Sequence, residues 1–298
     1  MRKKKSRYNI NSMILCALVF FAIAGTALCM VVNGREAAVE KAKAEAELKE
    51  QEAKKAEEKA VKRAAEEAEK KRAKDFSLQP GVPIGTQAPN AEEKVVYLTF
   101  DDGPSANTQT ILDILEQYDA KATFFIAGSR EEWRPLIKTA YEAGHTIGLH
   151  TYSHDYAGVY SSVDAYFEDL DKIGKVAEEQ IGYVPCFIRF PGGSSNAVSK
   201  KYTQGIMTEL TSLVQEEGYQ YYDWNLDSGD GADKSVEELK ANSMTDRFHQ
   251  VMLLFHDSRS KENTVEALPS IIEYYKNLGY EFRAIDRESF APHHSVNN

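Results

Sequence analysis

Residues 94–128 read KVVYLTFDDGPSANTQTILDILEQYDAKATFFIAG. KVVYLTF (94–100) is an apolar, β-branched run of strand length. It stops in Asp101-Asp102-Gly103-Pro104-Ser105, a polar turn. Thr108 to Tyr118 is amphipathic and helical, and ATFFIAG (122–128) is a second buried strand. A strand without polar alternation has both faces covered, as in a parallel sheet flanked by helices.

The same alternation continues downstream. Glu131 to Ala143 is helical and closed by Gly144; HTIGLH (145–150) is the third strand. Ser162 to Gln180 is helical before Gly182, and CFIRF (186–190) is the fourth strand. Lys200 to Glu217 is helical before Gly218, and YQYYDWNL (219–226) is the fifth strand. Ser235 to Phe248 is helical and VMLLFH (251–256) the sixth strand. Thr264 to Leu278 is helical before Gly279, and YEFRAI (280–285) is the seventh strand. Apolar runs between glycine-stopped helices mean repeated βα units. Seven of them within residues 92–290 predict an α/β fold and suit a small, incomplete barrel better than two open sheets.

Upstream the chain changes character. Met13 to Val32 carries no charge and suits a roughly 30 Å hydrocarbon layer, with Arg2, Lys3, Lys4, Lys5 and Arg7 before it. The positive-inside rule puts residues 1–12 in the cytoplasm and the rest outside. A cleaved signal ending near Ala22-Ile23-Ala24 is the competing reading, but the apolar run continues past it. Residues 36–74 hold 23 charged residues and 12 alanines and no Gly or Pro. They read as a solvated helical stalk with i,i+4 pairs such as Glu50–Lys54. The apolar heptad of a coiled coil is missing. Residues 75–91 read as a flexible linker and 291–298 as a disordered tail.

The chain has 298 residues and net charge −10. Residues 1–35 contribute +6 and 36–74 contribute +1, so the remainder carries −17. That sign repels phosphate backbones and excludes nucleic acid as the partner. Three cysteines exclude a disulfide scaffold. Cys186 alone lies beyond the apolar segment, as a small buried hydrophobe.

In a βα barrel, functional groups gather at the carboxyl ends of strands. Here those ends carry Asp101-Asp102, His150 with His154, Arg189, Asp227 with Asp230, His256-Asp257 and Asp286. Two histidines four apart and one carboxylate make a metal set with open positions. Of two adjacent aspartates, one can bind metal and the other serve as base. Tyr219, Tyr221, Tyr222 and Trp224 read as strand core, and His145, His249, His293 and His294 as structural or exposed.

These motifs resemble the polysaccharide deacetylase family, the NodB-homology group of carbohydrate esterases. The resemblance rests on Thr99-Phe100-Asp101-Asp102-Gly103-Pro104-Ser105, His150-Thr151-x-x-His154, Arg189-Phe190-Pro191-Gly192, Asp227-x-x-Asp230 and Leu254-Phe255-His256. It implies a distorted (β/α)7 barrel, with Asp101 as catalytic base, Asp102, His150 and His154 as metal ligands, and Arg189 as partner of the base. It further implies His256 as general acid, oriented by Asp230 or Asp227. Pro191, Gly192 and Leu254 would contact substrate, with the Gly192 N–H at the oxyanion. Two departures stand out: Gly231 follows Asp230 where the family usually has tryptophan, and Gly193 replaces an aromatic or proline.

The expected reaction is removal of acetyl from an N-acetylated wall glycan, with peptidoglycan N-acetylglucosamine as substrate and Zn2+ as the ion, Co2+ or Ni2+ being alternatives. Chitin oligomers, poly-N-acetylglucosamine and O-acetylated xylan are the alternative substrates. An inert wall-binding spacer would require loss of the base or a metal ligand, and all are present. The expected molecule is a monomer anchored in the cell membrane, its catalytic domain facing the wall.

Overall fold

The computed structural model describes residues 10–298 except 91, 129 and 130, with side chains from residue 18 onward. The basic cluster at residues 2–7 lies outside the described residues. Helix α1 runs Ile10–Phe76. Two compact units result, one up to Lys70 and one from Lys71 to Asn298. In the first, every described side chain is exposed, and the apolar segment is long and apolar enough to cross a membrane. Glu50 and Lys54 pair at 2.8 Å with both side chains in solvent, an interaction worth a few tenths of a kcal/mol at ~0.3–0.5.

The second unit is an eight-stranded, wholly parallel sheet. Its strands are β1 (Val95–Asp101), β2 (Ala122–Ala127), β3 (Thr146–Thr151), β4 (Phe187–Ile188), β5 (Gln220–Tyr221), β6 (Leu226–Asp227), β7 (Gln250–His256) and β8 (Glu281–Phe282). Along the sheet the order is β5-β4-β3-β2-β1-β7-β6, with β8 beside the start of β1. The helices are α2 (Thr108–Gln117), α3 (Pro135–Glu142), α4 (Tyr156–Val159), α5 (Val163–Ile181), α6 (Ile206–Glu216), α7 (Val236–Ser243) and α8 (Glu262–Asn277). In α2 the buried positions Thr108, Ile111, Leu112 and Leu115 follow the helical repeat and meet the sheet. Helix α5 stops at Gly182, whose φ of 84° is the left-handed cap that a side chain would resist.

Strand periodicity sorts β1 into two faces. Val96, Leu98 and Phe100 join the larger core under the helices, whereas Val95 and Tyr97 join a smaller inner core with Phe125, Phe187, Tyr222 and Met252. Thr99 and Asp101 therefore continue the inward row, as Leu254 and His256 continue the row of Met252 in β7.

The fifth expected strand is split. Residues 219–226 were expected as one strand, but β5 pairs with β4 and β6 pairs with β7, so the chain crosses from one sheet edge to the other. Arg189 causes this: its Nε and Nη2 donate to the Tyr222 and Asp223 carbonyls at 2.8 and 3.1 Å, using groups a ladder would need. The C-terminal residues fill part of the gap, which corrects the expectation of a disordered tail. The Asp223 N–H donates to the Pro292 carbonyl at 2.9 Å, and the His293 ring stacks on Tyr221 at 3.8 Å. The expected flexible linker is likewise pinned, through Leu78 N–H to the Val184 carbonyl and Thr86 N–H to the Ser289 carbonyl at 3.0 and 3.1 Å.

Candidate active site

Asp101, Asp102, His150, His154, Gly192, Leu254 and His256 line one hollow of about 350 Å³ at the carboxyl ends of the strands. Arg189, Asp230 and Pro191 lie behind its wall. Asp227 is elsewhere: its Oδ1 accepts from the Gly229 N–H in an exposed turn.

Asp102 and His154 both adopt left-handed backbone, with φ of 73° and 51°. Such conformations are strained for side-chain-bearing residues and are held by their surroundings. The Asp102 Oδ1 atom is buried and accepts no hydrogen bond, yet it lies 3.5 Å from His150 Nε2 and 3.3 Å from His154 Nε2. His150 donates from Nδ1 to the Arg189 carbonyl at 2.7 Å, which leaves the Nε2 lone pair facing Asp102. Burial also lowers the His150 pKa, against the pull of Asp101 and Asp102, and so favours the neutral ring. Three lone-pair atoms within 4.8 Å of one another and an orphaned carboxylate oxygen fit a divalent cation.

The segment between the two histidines is tied down by Asp169 of α5. Its Oδ1 accepts from Thr151 Oγ1 and Tyr152 N–H at 2.5 and 2.6 Å, and Oδ2 accepts from Ser153 N–H at 3.0 Å. Sequence reasoning missed this residue, because a mid-helix aspartate carries no signal until the loop folds over it. A parallel role falls to Asp257, whose carboxylate accepts from Ser105 and Thr108 at 2.6 and 2.5 Å and braces the turn after Asp101.

Asp101 faces a different partner. Arg189 is fully buried and donates from Nη1 to Asp101 Oδ1 at 2.9 Å and to Thr99 Oγ1 at 2.7 Å. Its guanidinium lies 4.4 Å from the Phe125 ring centroid. His256 sits beside Asp101 in the β1–β7 register. Burial opposes charge on His256, but the hydrogen bond and charge of Asp230 prevail and hold its pKa up to about 9. Burial likewise opposes charge on Asp230, and His256 overcomes it and lowers the Asp230 pKa.

The Gly192 N–H makes no hydrogen bond among the described residues. A Cβ on Gly192 would stand 2.8 Å from the Tyr156 hydroxyl, and one on Gly193 2.9 Å from the Trp224 ring. The two glycines thus make room for aromatic groups from other elements, and both Tyr156 and Trp224 line the hollow. Trp224 is therefore corrected from strand core to site wall; Tyr219, Tyr221 and Tyr222 are buried. Outside the site, the buried His145 accepts at Nδ1 from the Ala122 N–H, and burial takes its pKa down to about 4.

A family model described as polysaccharide deacetylase matches residues 88–207. The chain is 35% identical over 228 residues to a peptidoglycan-N-acetylglucosamine deacetylase of Bacillus cereus, covering 72% of this chain and 80% of that protein. The chain belongs to the polysaccharide deacetylase family. Among solved structures, the catalytic domain of peptidoglycan N-acetylglucosamine deacetylase from Eubacterium rectale matches with TM-score 0.68 and 40% identity, over 72% of this chain and 98% of that one. A polysaccharide deacetylase from Bacillus cereus matches with TM-score 0.58 and 33% identity, over 69% and 97%. This chain is accordingly a metal-dependent polysaccharide deacetylase on a parallel-sheet, incomplete barrel.

Proposed function

We propose that the chain removes acetyl from the N-acetylglucosamine of peptidoglycan. The carrying observation is the single hollow in which two imidazoles and one carboxylate converge while a second carboxylate and a histidine face the same space. The names of the relatives support this choice of sugar.

Asp102, His150 and His154 would hold the ion; their donor types suit Zn2+, and Co2+ or Ni2+ fit the same set. A divalent ion held there would supply Lewis acidity toward the acetamide carbonyl and toward water. Asp101, steadied by Arg189, takes the proton of the attacking water. The Gly192 N–H, presented by a turn whose Pro191 carbonyl accepts from Tyr160 at 2.8 Å, donates to the oxygen that gains negative charge. Leu254 offers an apolar wall to the acetyl methyl. His256, held protonated by Asp230, gives its proton to the leaving nitrogen as the carbon–nitrogen bond breaks. Acetate and a glucosamine amine leave.

Residues 13–32 serve as the anchor, 1–12 as its cytoplasmic end, 36–74 as the stalk, and 92–290 as the catalytic domain facing the wall, in a monomeric protein. Acetate release from purified peptidoglycan, chitohexaose and acetylxylan, with mass spectrometry of the sugars, tests the substrate. Deacetylated N-acetylglucosamine in peptidoglycan is expected; acetate from acetylxylan alone contradicts the reading.

A further inference from the structure

Three hollows share walls along Ser258–Lys261, the segment after β7. The catalytic one is lined by Ser258, Ser260 and Lys261 among others. A second, of about 340 Å³, shares Gly231, Ser260 and Lys261 with it. The third, of about 430 Å³, shares Asp102 and Ser258 with the catalytic one and is otherwise lined by Pro104, Ser105, Ala106, Trp133 and Arg259. A glycan longer than the catalytic hollow would reach one of its two neighbours along this run.

The third hollow has the chemistry of a binding site. Trp133 is half-buried there, offering a flat apolar face with a polar edge, which suits a sugar ring. Arg259 is exposed and forms no hydrogen bond or ion pair among the described residues. Its guanidinium stands in a part of the chain whose net charge is −17. A planar fork of donors recognises carboxylate in preference to neutral hydroxyls.

We propose that the Trp133–Arg259 hollow is a subsite for the saccharide next to the one deacetylated, and that Arg259 binds a carboxylate carried by that saccharide. The inference rests on the peptidoglycan reading and deepens it. In peptidoglycan the neighbour of N-acetylglucosamine carries a 3-O-lactyl group, which is a carboxylate when free and bears further carboxylates when extended by peptide. Chitin has neither. Arg259 therefore discriminates between two glycans that present the same acetamide to Asp101, Asp102 and His256.

The test uses the full chain, loaded with Zn2+, and three substrates: glycan strands stripped of peptide by an amidase, strands retaining peptide, and chitohexaose. For Arg259→Gln, the ratio of kcat/KM on strands to that on chitohexaose is expected to fall about tenfold, the scale of one charge-assisted hydrogen bond, through KM. Arg259→Lys is expected to retain part of the preference. Arg247→Gln, which removes the same charge from an exposed position lining none of the three hollows, is expected to leave the ratio unchanged. A loss confined to stripped strands assigns the lactyl carboxylate; a loss confined to peptide-bearing strands assigns the peptide. A ratio indifferent to Arg259→Gln, or lowered equally by Arg247→Gln, overturns the subsite while leaving the peptidoglycan reading intact. Acetate from chitohexaose but from neither kind of strand overturns both.

Discussion

His256 and Asp230 are joined twice: His256 Nδ1 lies 2.7 Å from Asp230 Oδ1, and the His256 amide donates to Asp230 Oδ2 at 2.8 Å. Thr264 Oγ1 donates to the same Oδ2 at 2.8 Å, and Lys261 Nζ donates to the Asp230 carbonyl. One carboxylate thus fixes both the ring and the backbone of the histidine. The residue three before it in the motif, Asp227, is spent on its own turn.

This pairing sets a pH dependence. With protonated His256 as the proposed acid, activity is expected to hold through neutral pH and fall as pH rises through about 9. Asp230→Asn removes the opposing charge, and the alkaline limb should move down toward the ordinary histidine value of ~6.5. A pH profile of kcat checks this; an unmoved limb in the variant excludes His256 as the titrating acid.

The same shift bears on stability. The folded pKa of His256 is above its unfolded value, so its contribution is full below ~6.5 and lost as pH rises through about 9. Asp230 is lowered, so its contribution is present above ~3.9 and lost as pH falls through its folded value. Urea midpoints should therefore drop toward both acid and alkaline ends, and the alkaline drop should be absent in Asp230→Asn.

Asp101 and Asp102 are adjacent in sequence, and the proposed mechanism gives them separate roles. Asp102→Asn should abolish both metal retention and acetate release. Asp101→Asn should retain the metal after dialysis and lose acetate release by several orders of magnitude. Chelation should silence the native protein, and added Zn2+ should restore it. Metal content measured beside activity distinguishes the two; equal metal loss in both variants contradicts the division.

Arg189 is buried with four donor contacts, and truncating it takes this partner from Asp101, Thr99 and the Tyr222 and Asp223 carbonyls. Arg189→Met is expected to destabilise by about 3–5 kcal/mol, the scale of breaking a buried ion pair. Urea denaturation measures it, and a loss below about 1 kcal/mol means the guanidinium is not what joins the sheet edges.

Asp169→Asn keeps the shape of the side chain but weakens its hold on the histidine loop. Metal affinity should fall roughly 10–100-fold, the usual cost of losing such a support, with the fold intact. Competition with a metal indicator reads the affinity directly, and unchanged affinity shows that Thr151 and the loop backbone suffice.

Much of this was legible along the chain because it depends on short-range order. Apolar runs of strand length, helical periodicity in Thr108 to Tyr118 and glycine stops such as Gly182 are local signals, and the strand ends carried the titratable residues that meet in the hollow. The bare sequence thus determined the alternating βα pattern, the apolar N-terminal segment and the residue types of the site. Tertiary structure alone decided the rest. It chose Asp230 over Asp227 because only one backbone turn reaches His256, and it divided residues 219–226 between two sheet edges because Arg189, 33 and 34 residues earlier in the chain, claims the Tyr222 and Asp223 carbonyls. It also brought Asp169, Tyr156 and Trp224 to the site from segments with no motif of their own. Such contacts join positions far apart in sequence, and the partner that gives each of them meaning exists only after the chain has folded.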